Sequence, residues 1–305
     1  MKRILIPTDF SKNAFNALSY AVNSFEGEDC TFFLLNTYTP VIYDSEYMLN
    51  SYSSPDLTES YKNNSEQNLE RLKNQISKKI NIDRHHIITI SSFNNLSEEI
   101  KEQVVRKDID LVVMGTKGAT GAREILFGSN TVYAMQKVTC PLLAIPSNYK
   151  YKSPENILFS SDFGIDFSES PLQILLDFLH KKACSLNILN VDFGMSLSEY
   201  QMQQKSFLRE YFKDENVKFN SISGKSVPEA VNKFQEDHPA DLLVMVNNKH
   251  SFFENLLFRP VVNQIGFHIK IPFLVLPASQ KAKDAHKATD NSENYHSTYP
   301  KDSII

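Results

Sequence analysis

The chain alternates short apolar runs with longer segments whose apolar residues recur at helical spacing. In the first half the runs fall at Arg3–Ile6, Thr31–Leu35, Ile87–Ile90, Leu111–Met114 and Leu142–Ile145. Between them helices are predicted from Ser11 onward, around Glu59–Lys79, over the segment opened by "LSEEI" with Ser97 as N-cap, and after Ser129. The second half repeats the scheme, with strands near Ile157–Phe159, Ser185–Leu189, Val217–Asn220, Leu242–Met245 and Phe273–Leu276. Strands that are apolar almost throughout, alternating with helices, specify a parallel sheet covered on both faces. The expected class is α/β, with two tandem open five-stranded sheets and helices on both faces of each.

The two halves also share words. "RILIPTDFS" (Arg3–Ser11) reappears as "NILFSSDFG" (Asn156–Gly164), "DIDLVVM" (Asp108–Met114) as "PADLLVM" (Pro239–Met245), and "CPLLAIP" (Cys140–Pro146) as "IPFLVLP" (Ile271–Pro277). The last two pairs are separated by 131 residues and the first by 153, so the first half carries about 22 additional residues. These are expected in the Ser/Tyr-rich stretch Thr39–Ser60, a candidate lid. The polar, proline-bounded "NYKYKSP" (Asn148–Pro154) marks the boundary between domains at 1–147 and 154–278. Residues 279–305, with almost no apolar content, read as a disordered tail.

Composition narrows the function. A net charge of −4 and the absence of any basic run longer than a pair argue against nucleic acid. No stretch approaches the ~20 apolar residues of a membrane span. The opening "MKRILIPTDF" is broken by Pro7 and Asp9, too soon for a signal peptide, so a cytoplasmic location is expected. Cys30, Cys140 and Cys184 form no CxxC or metal-ligand spacing and read as buried thiols.

Glycine is scarce, nine in 305 residues, yet Gly115, Gly118, Gly121 and Gly128 cluster just after the apolar run "DLVVM". The spacing is Gly115-x2-Gly118-x9-Gly128-Ser129-Asn130, at the end of the fourth strand of the first half. In a doubly wound sheet ligands bind beyond the carboxyl ends of strands, where strand order reverses. Bare backbone and a helix N-terminus rich in small polar residues suit phosphate; the same glycines would also serve to shape a tight loop and helix entry. Neither GxxxxGK[ST] nor GxGxxG is present. Arg123 and Glu124 read as a solvated helix face, His85–His86 as a surface turn, and no triad, SGGxDS, HxGH or phospho-acceptor Asp at the end of the third strand points to catalysis.

"MGTKGATGAREILFGSNT" and "ILIPTDFS" resemble the nucleotide loop and first-strand turn of the universal stress protein (UspA-like) family, and the resemblance extends over both halves. It implies a five-stranded open domain of the adenine-nucleotide alpha-hydrolase-like type that binds ATP in many members. Carried over, Pro7, Thr8 and Asp9 line the adenine side and Thr37 meets the base through its backbone. Met114 and Gly115 run along the ribose and first phosphate, while Gly118, Gly128, Ser129 and Asn130 cradle phosphates bridged by Mg²⁺ or Mn²⁺. The second half departs from the pattern: Val246, Lys249, Arg259 and Pro260 stand where Gly115, Gly118, Gly128 and Ser129 stand in the first, although Asp162 mirrors Asp9. One competent site and one degenerate half are expected, paired inside the chain through the apolar strands "PLLAIP" and "PFLVLP" as a pseudo-twofold dimer. The functional expectation is a nucleotide-dependent regulatory or stress-response protein, the alternatives being a slow ATPase or phosphotransferase and a ligand-free scaffold. A further homo-oligomer and an unidentified protein partner remain open.

Overall fold

The structure, a computed structural model, describes residues 1–39, 55–116, 127–181, 184–224, 226–247 and 270–277. In the first half β1 (Lys2–Pro7), α1 (Lys12–Ser24), β2 (Cys30–Thr37), α2 (Pro55–Lys79), β3 (His85–Ser92), α3 (Leu96–Arg106), β4 (Leu111–Gly115), α4 (Ser129–Lys137) and β5 (Leu142–Ile145) follow one another. The second half gives β6 (Asn156–Ser160), α5 (Glu169–Lys181), β7 (Ser185–Asp192), α6 (Glu199–Tyr211), β8 (Val217–Ser223), α7 (Val227–Asp237), β9 (Leu242–Asn247) and β10 (Phe273–Pro277).

All ten strands form one sheet in the order β3-β2-β1-β4-β5-β10-β9-β6-β7-β8. Each half is parallel within itself. The halves meet where β5 and β10 run antiparallel, with Phe273 opposite Ala144, Leu274 opposite Leu143 and Val275 opposite Leu142. The expected internal pairing through the last strands is thus present. Both faces are covered by continuous layers. Ile4, Ile6 and Phe32 join Leu143, Leu274, Ile157 and Ile188 under α1, α2, α5 and α6. Leu5 and Phe33 join Leu142, Phe273, Leu158 and Leu243 under α3, α4 and α7. Burial on both sides is why the central strands carry no polar alternation.

The duplication reaches hydrogen bonds. Asp110 accepts from the Arg3 amide (2.7 Å) and its own amide donates to the Arg3 carbonyl; Asp241 does both to Asn156. Asp241 further accepts from the Glu155 amide (2.9 Å) and the Lys152 ammonium (3.0 Å), fastening the interhalf segment to β9.

Three local expectations are corrected. α2 begins at Pro55, not near Glu59, because proline at a first helical position has no amide hydrogen to leave unpaired; Pro55–Ser60 are therefore helix, and 40–54 lie outside the described residues. The cap of α3 is Asn95, whose side chain accepts from the Ser97 amide, so Ser97 lies inside the helix. His85 and His86 open β3 and are not a surface turn: His85 is buried edge-to-face on Phe32, and burial pushes its imidazole pKa down. The three cysteines are buried thiols outside any disulfide, as expected.

Phe273 is fully buried at the seam and stacks on Phe127 at 5.7 Å. Replacing it with alanine should cost about 3–5 kcal/mol, read as a lower urea midpoint. Burial opposes ionisation of Asp241, but the Glu155 and Asn156 amides and Lys152 hold its carboxyl below the usual carboxylate range. Its contribution is therefore fully present above the unfolded value near 3.8 and is lost as pH falls through the lower folded value. Acid titration of unfolding stability should show a shallower loss in Asp241→Asn than in the wild type.

Candidate functional site

β1 has β2 on one side and β4 on the other. The chain runs outward from β1 to β2 and β3, then returns to β4 and β5, so the carboxyl ends of β1 and β4 flank the switch point of the first half. Pro7, Thr8 and Asp9 lie at the end of β1, Thr37 ends β2, and Met114 and Gly115 end β4. Gly128 caps α4, and Ser129 and Asn130 open it. Nine of the ten sequence-predicted residues thus belong to strand ends and a helix start at one edge of the sheet. Gly118 lies outside the described residues, as do Lys117, Gly121, Arg123 and Glu124.

The turn after β1 is locked by its own side chains. The Phe10 amide donates to Thr8 Oγ1 (3.0 Å), the Ser11 amide to Asp9 Oδ1 (3.0 Å), and Asn36 Nδ2 to the Thr8 carbonyl (2.7 Å). Ser11 then caps α1 by accepting from the Ala14 amide. Phe10 is held at φ +60°, a left-handed conformation that a bulky side chain adopts only at a cost of about 1–3 kcal/mol. Thr8 is buried, whereas Asp9 is exposed. Sequence alone gave no sign of the strained Phe10.

The end of β4 is tied to α4. The Gly128 amide donates to the Thr116 carbonyl (2.7 Å), the Thr116 amide to the Ile145 carbonyl (2.9 Å), and Thr131 Oγ1 to the Gly115 carbonyl (2.9 Å). Thr116 and Thr131 are both buried. The Thr131 hydroxyl is therefore turned inward. Ser129 and Asn130 are exposed, and Gly128 supplies no side-chain cap to the helix amides, whose first intrahelical bond runs from Val132 to Gly128. That leaves a helix N-terminus able to receive an anion.

Two of these residues also serve the packing. Met114 is 5% exposed with its side chain in the core, so it presents only backbone to the crevice. Gly115 is a packing glycine: a Cβ there would lie 3.2 Å from the Asn13 carbonyl oxygen of α1. At the rim, Tyr38 and Phe93 pair at 5.7 Å beyond the ends of β2 and β3, an aromatic feature the sequence reading did not single out.

In the second half the same turn is present without the same access. The Phe163 amide donates to Ser161 Oγ, the Gly164 amide to Asp162 Oδ1, and Asn190 Nδ2 to the Ser161 carbonyl; Phe163 sits at φ +56°. Here, however, α6 lies against the turn: Gln201 Nε2 donates to the Asp162 carbonyl (2.7 Å) and Lys205 sits over the Phe163 ring. Phe163 is 1% exposed where Phe10 is 36% exposed. Val246 replaces Gly115, and the next residue, Asn247, donates to the Met135 carbonyl of α4 (2.7 Å). Lys249, Arg259 and Pro260 lie outside the described residues.

Residues 1–146 match the model of the universal stress protein family. The N-terminal half belongs to that family. A universal stress protein from Archaeoglobus fulgidus DSM 4304 superposes with a TM-score of 0.61 at 17% identity, covering 91% of this chain and 98% of that one. A functionally unknown protein from Pseudomonas aeruginosa PAO1 gives 0.54 at 12%, with 95% and 98% covered. Both likenesses concern the fold and extend it over both halves. No curated relative matches the chain in sequence. Among the described residues no helix is long and apolar enough to cross a membrane.

Substituting Gly115 by alanine in this universal stress protein domain forces the Asn13 backbone to yield. We expect a loss of about 1–3 kcal/mol, measured as a lower thermal midpoint.

Proposed function

We propose that the chain is a tandem universal stress protein, with domains at 1–147 and 154–278, that binds ATP in its N-terminal crevice and acts as a nucleotide-dependent regulatory protein. The observation that carries this reading is the meeting, at one switch point, of a polar strand-end turn and a helix N-terminus with exposed Ser129 and Asn130. The turn offers Asp9 and backbone to a base and ribose, and the helix amides suit the phosphates of the same ligand.

The residues fit a metal carried by the ligand. Among the described residues no group of three or more His, Cys, Asp or Glu side chains is placed to hold an ion, so Mg²⁺ or Mn²⁺ would be held chiefly by phosphate oxygens, with Ser129 and Asn130 as the nearest side-chain oxygens on α4. The second half is read as a partner without nucleotide: its turn is covered by Gln201 and Lys205, and its glycines are replaced. Its part is to cover the apolar edge of β5.

Calorimetric titration of the full chain with Mg·ATP tests the reading. One site per chain is expected, with affinity falling about tenfold in Asp9→Ala, or about 1.4 kcal/mol, and lost in Gly118→Val. Two sites would refute the closed second half, and no binding would favour a ligand-free scaffold. Phosphate release that disappears with Gly118→Val would favour slow hydrolysis.

A further inference from the structure

The ten-stranded sheet has two outer edges, β3 and β8, and they are built differently. β8 carries the exposed Lys218, a charge of the kind that discourages strand addition. β3 spans eight residues, "HHIITISS", with no lysine, arginine or proline, and Ile88 is 44% exposed. Its ladder to β2 uses the carbonyls of Arg84 and Ser92, which receive the amides of Cys30 and Tyr38. In a parallel ladder alternate residues turn both backbone groups the same way. Residues in step with Arg84 and Ser92 face β2, so Ile87, Thr89 and Ser91 turn their N–H and C=O groups outward.

This edge is the floor of a cavity of about 570 Å³. One wall is α2, with Glu66 and Glu70; the other is α3, with Gln103, Arg106 and Lys107. The charged residues that line the cavity are thus acidic on the α2 side and basic on the α3 side, with Glu66 4.0 Å from Lys62 and Arg106 3.8 Å from Glu102 on their own helices. Gln103 is 3% exposed, and its Oε1 has no hydrogen-bond partner among the described residues. The orientation of that amide follows from its neighbour. Gln103 Nε2 donates to Glu99 Oε1 (2.8 Å), while Asn94 donates to Glu99 Oε2 (2.9 Å). Burial opposes the charge on Glu99, but these bonds and one from Ser92 hold its carboxyl below the usual range. A carboxylate only accepts, so the Gln103 amide nitrogen must face it, and the oxygen is the atom left over, in a residue that lines the cavity.

We propose that β3 is a docking edge for an extended segment of a partner protein, which adds as an eleventh strand between α2 and α3. Its backbone pairs with Ile87, Thr89 and Ser91. Its alternate side chains are basic toward Glu66 and Glu70 and acidic toward Arg106 and Lys107, with one amide or hydroxyl donor for Gln103 Oε1. Main-chain pairing supplies affinity, and the two walls supply direction and choice of sequence. A second copy of this chain is disfavoured by the same charges. Antiparallel pairing of two β3 edges places the twofold axis normal to the sheet, so the cavity-lining Glu66 and Glu70 would face their own copies, and Arg106 and Lys107 theirs.

The probe is a capped octapeptide alternating Lys with Glu, one Glu replaced by Gln, added at millimolar concentration to the full chain. Amide hydrogen exchange at Ile87, Thr89 and Ser91 should slow about tenfold or more, with Ile88 and Ile90 unchanged. Thr89→Pro removes an outward N–H the sheet does not use and should abolish the protection while the melting temperature holds. Glu66→Lys should weaken binding while leaving the bond from Thr89 Oγ1 to Glu70 (3.3 Å) in place. Unchanged exchange at these three amides, or protection that survives both variants, overturns the proposal. Protection that rises with protein concentration in the absence of peptide overturns it in favour of a second copy.

Discussion

The arrangement depends on the antiparallel contact between β5 and β10. Each strand is apolar along its length and would be an exposed edge if its half stood alone. An edge of that kind, short and without charge, invites uncontrolled pairing unless something covers it. Placing two such strands in one chain solves the problem at high effective concentration and lets both helix layers run across the seam without a break. The Lys2 ammonium, shared between Glu28 of its own half at 2.6 Å and Asp177 of the other at 3.3 Å, and the Phe25–Phe178 ring contact follow from that juxtaposition.

Much of this was legible in the sequence because buried parallel strands must be apolar on both faces. All ten runs became strands within a few residues, and the repeated words marked the seam before any coordinate did. What escaped was local chemistry that hydropathy does not encode. His85 and His86 read as a polar turn, yet the first histidine fills an aromatic contact and the pair opens a strand. Ser97 and Asn95 are both good caps, and only the hydrogen bond decides between them.

The candidate site was legible in part for the same reason. Its position follows from topology, and topology follows from the order of strands. The roles within it do not. Gly115 gives room to α1, and Thr131 stitches β4 to α4, and neither part is written in the hydropathy. The closure of the second half by Gln201 depends on where α6 lies, which no substitution pattern along one chain displays.

The left-handed phenylalanine after the first strand of each half carries a wider lesson. Phe10 and Phe163 have φ values of +60° and +56° and matching pairs of side-chain-to-amide bonds, though Phe10 is 36% exposed and Phe163, beside α6, 1%. The strain and the aspartate therefore serve the exit of the chain from the sheet in both halves. An aspartate–phenylalanine pair at such a strand exit is a way of turning the chain, and by itself it does not count binding sites.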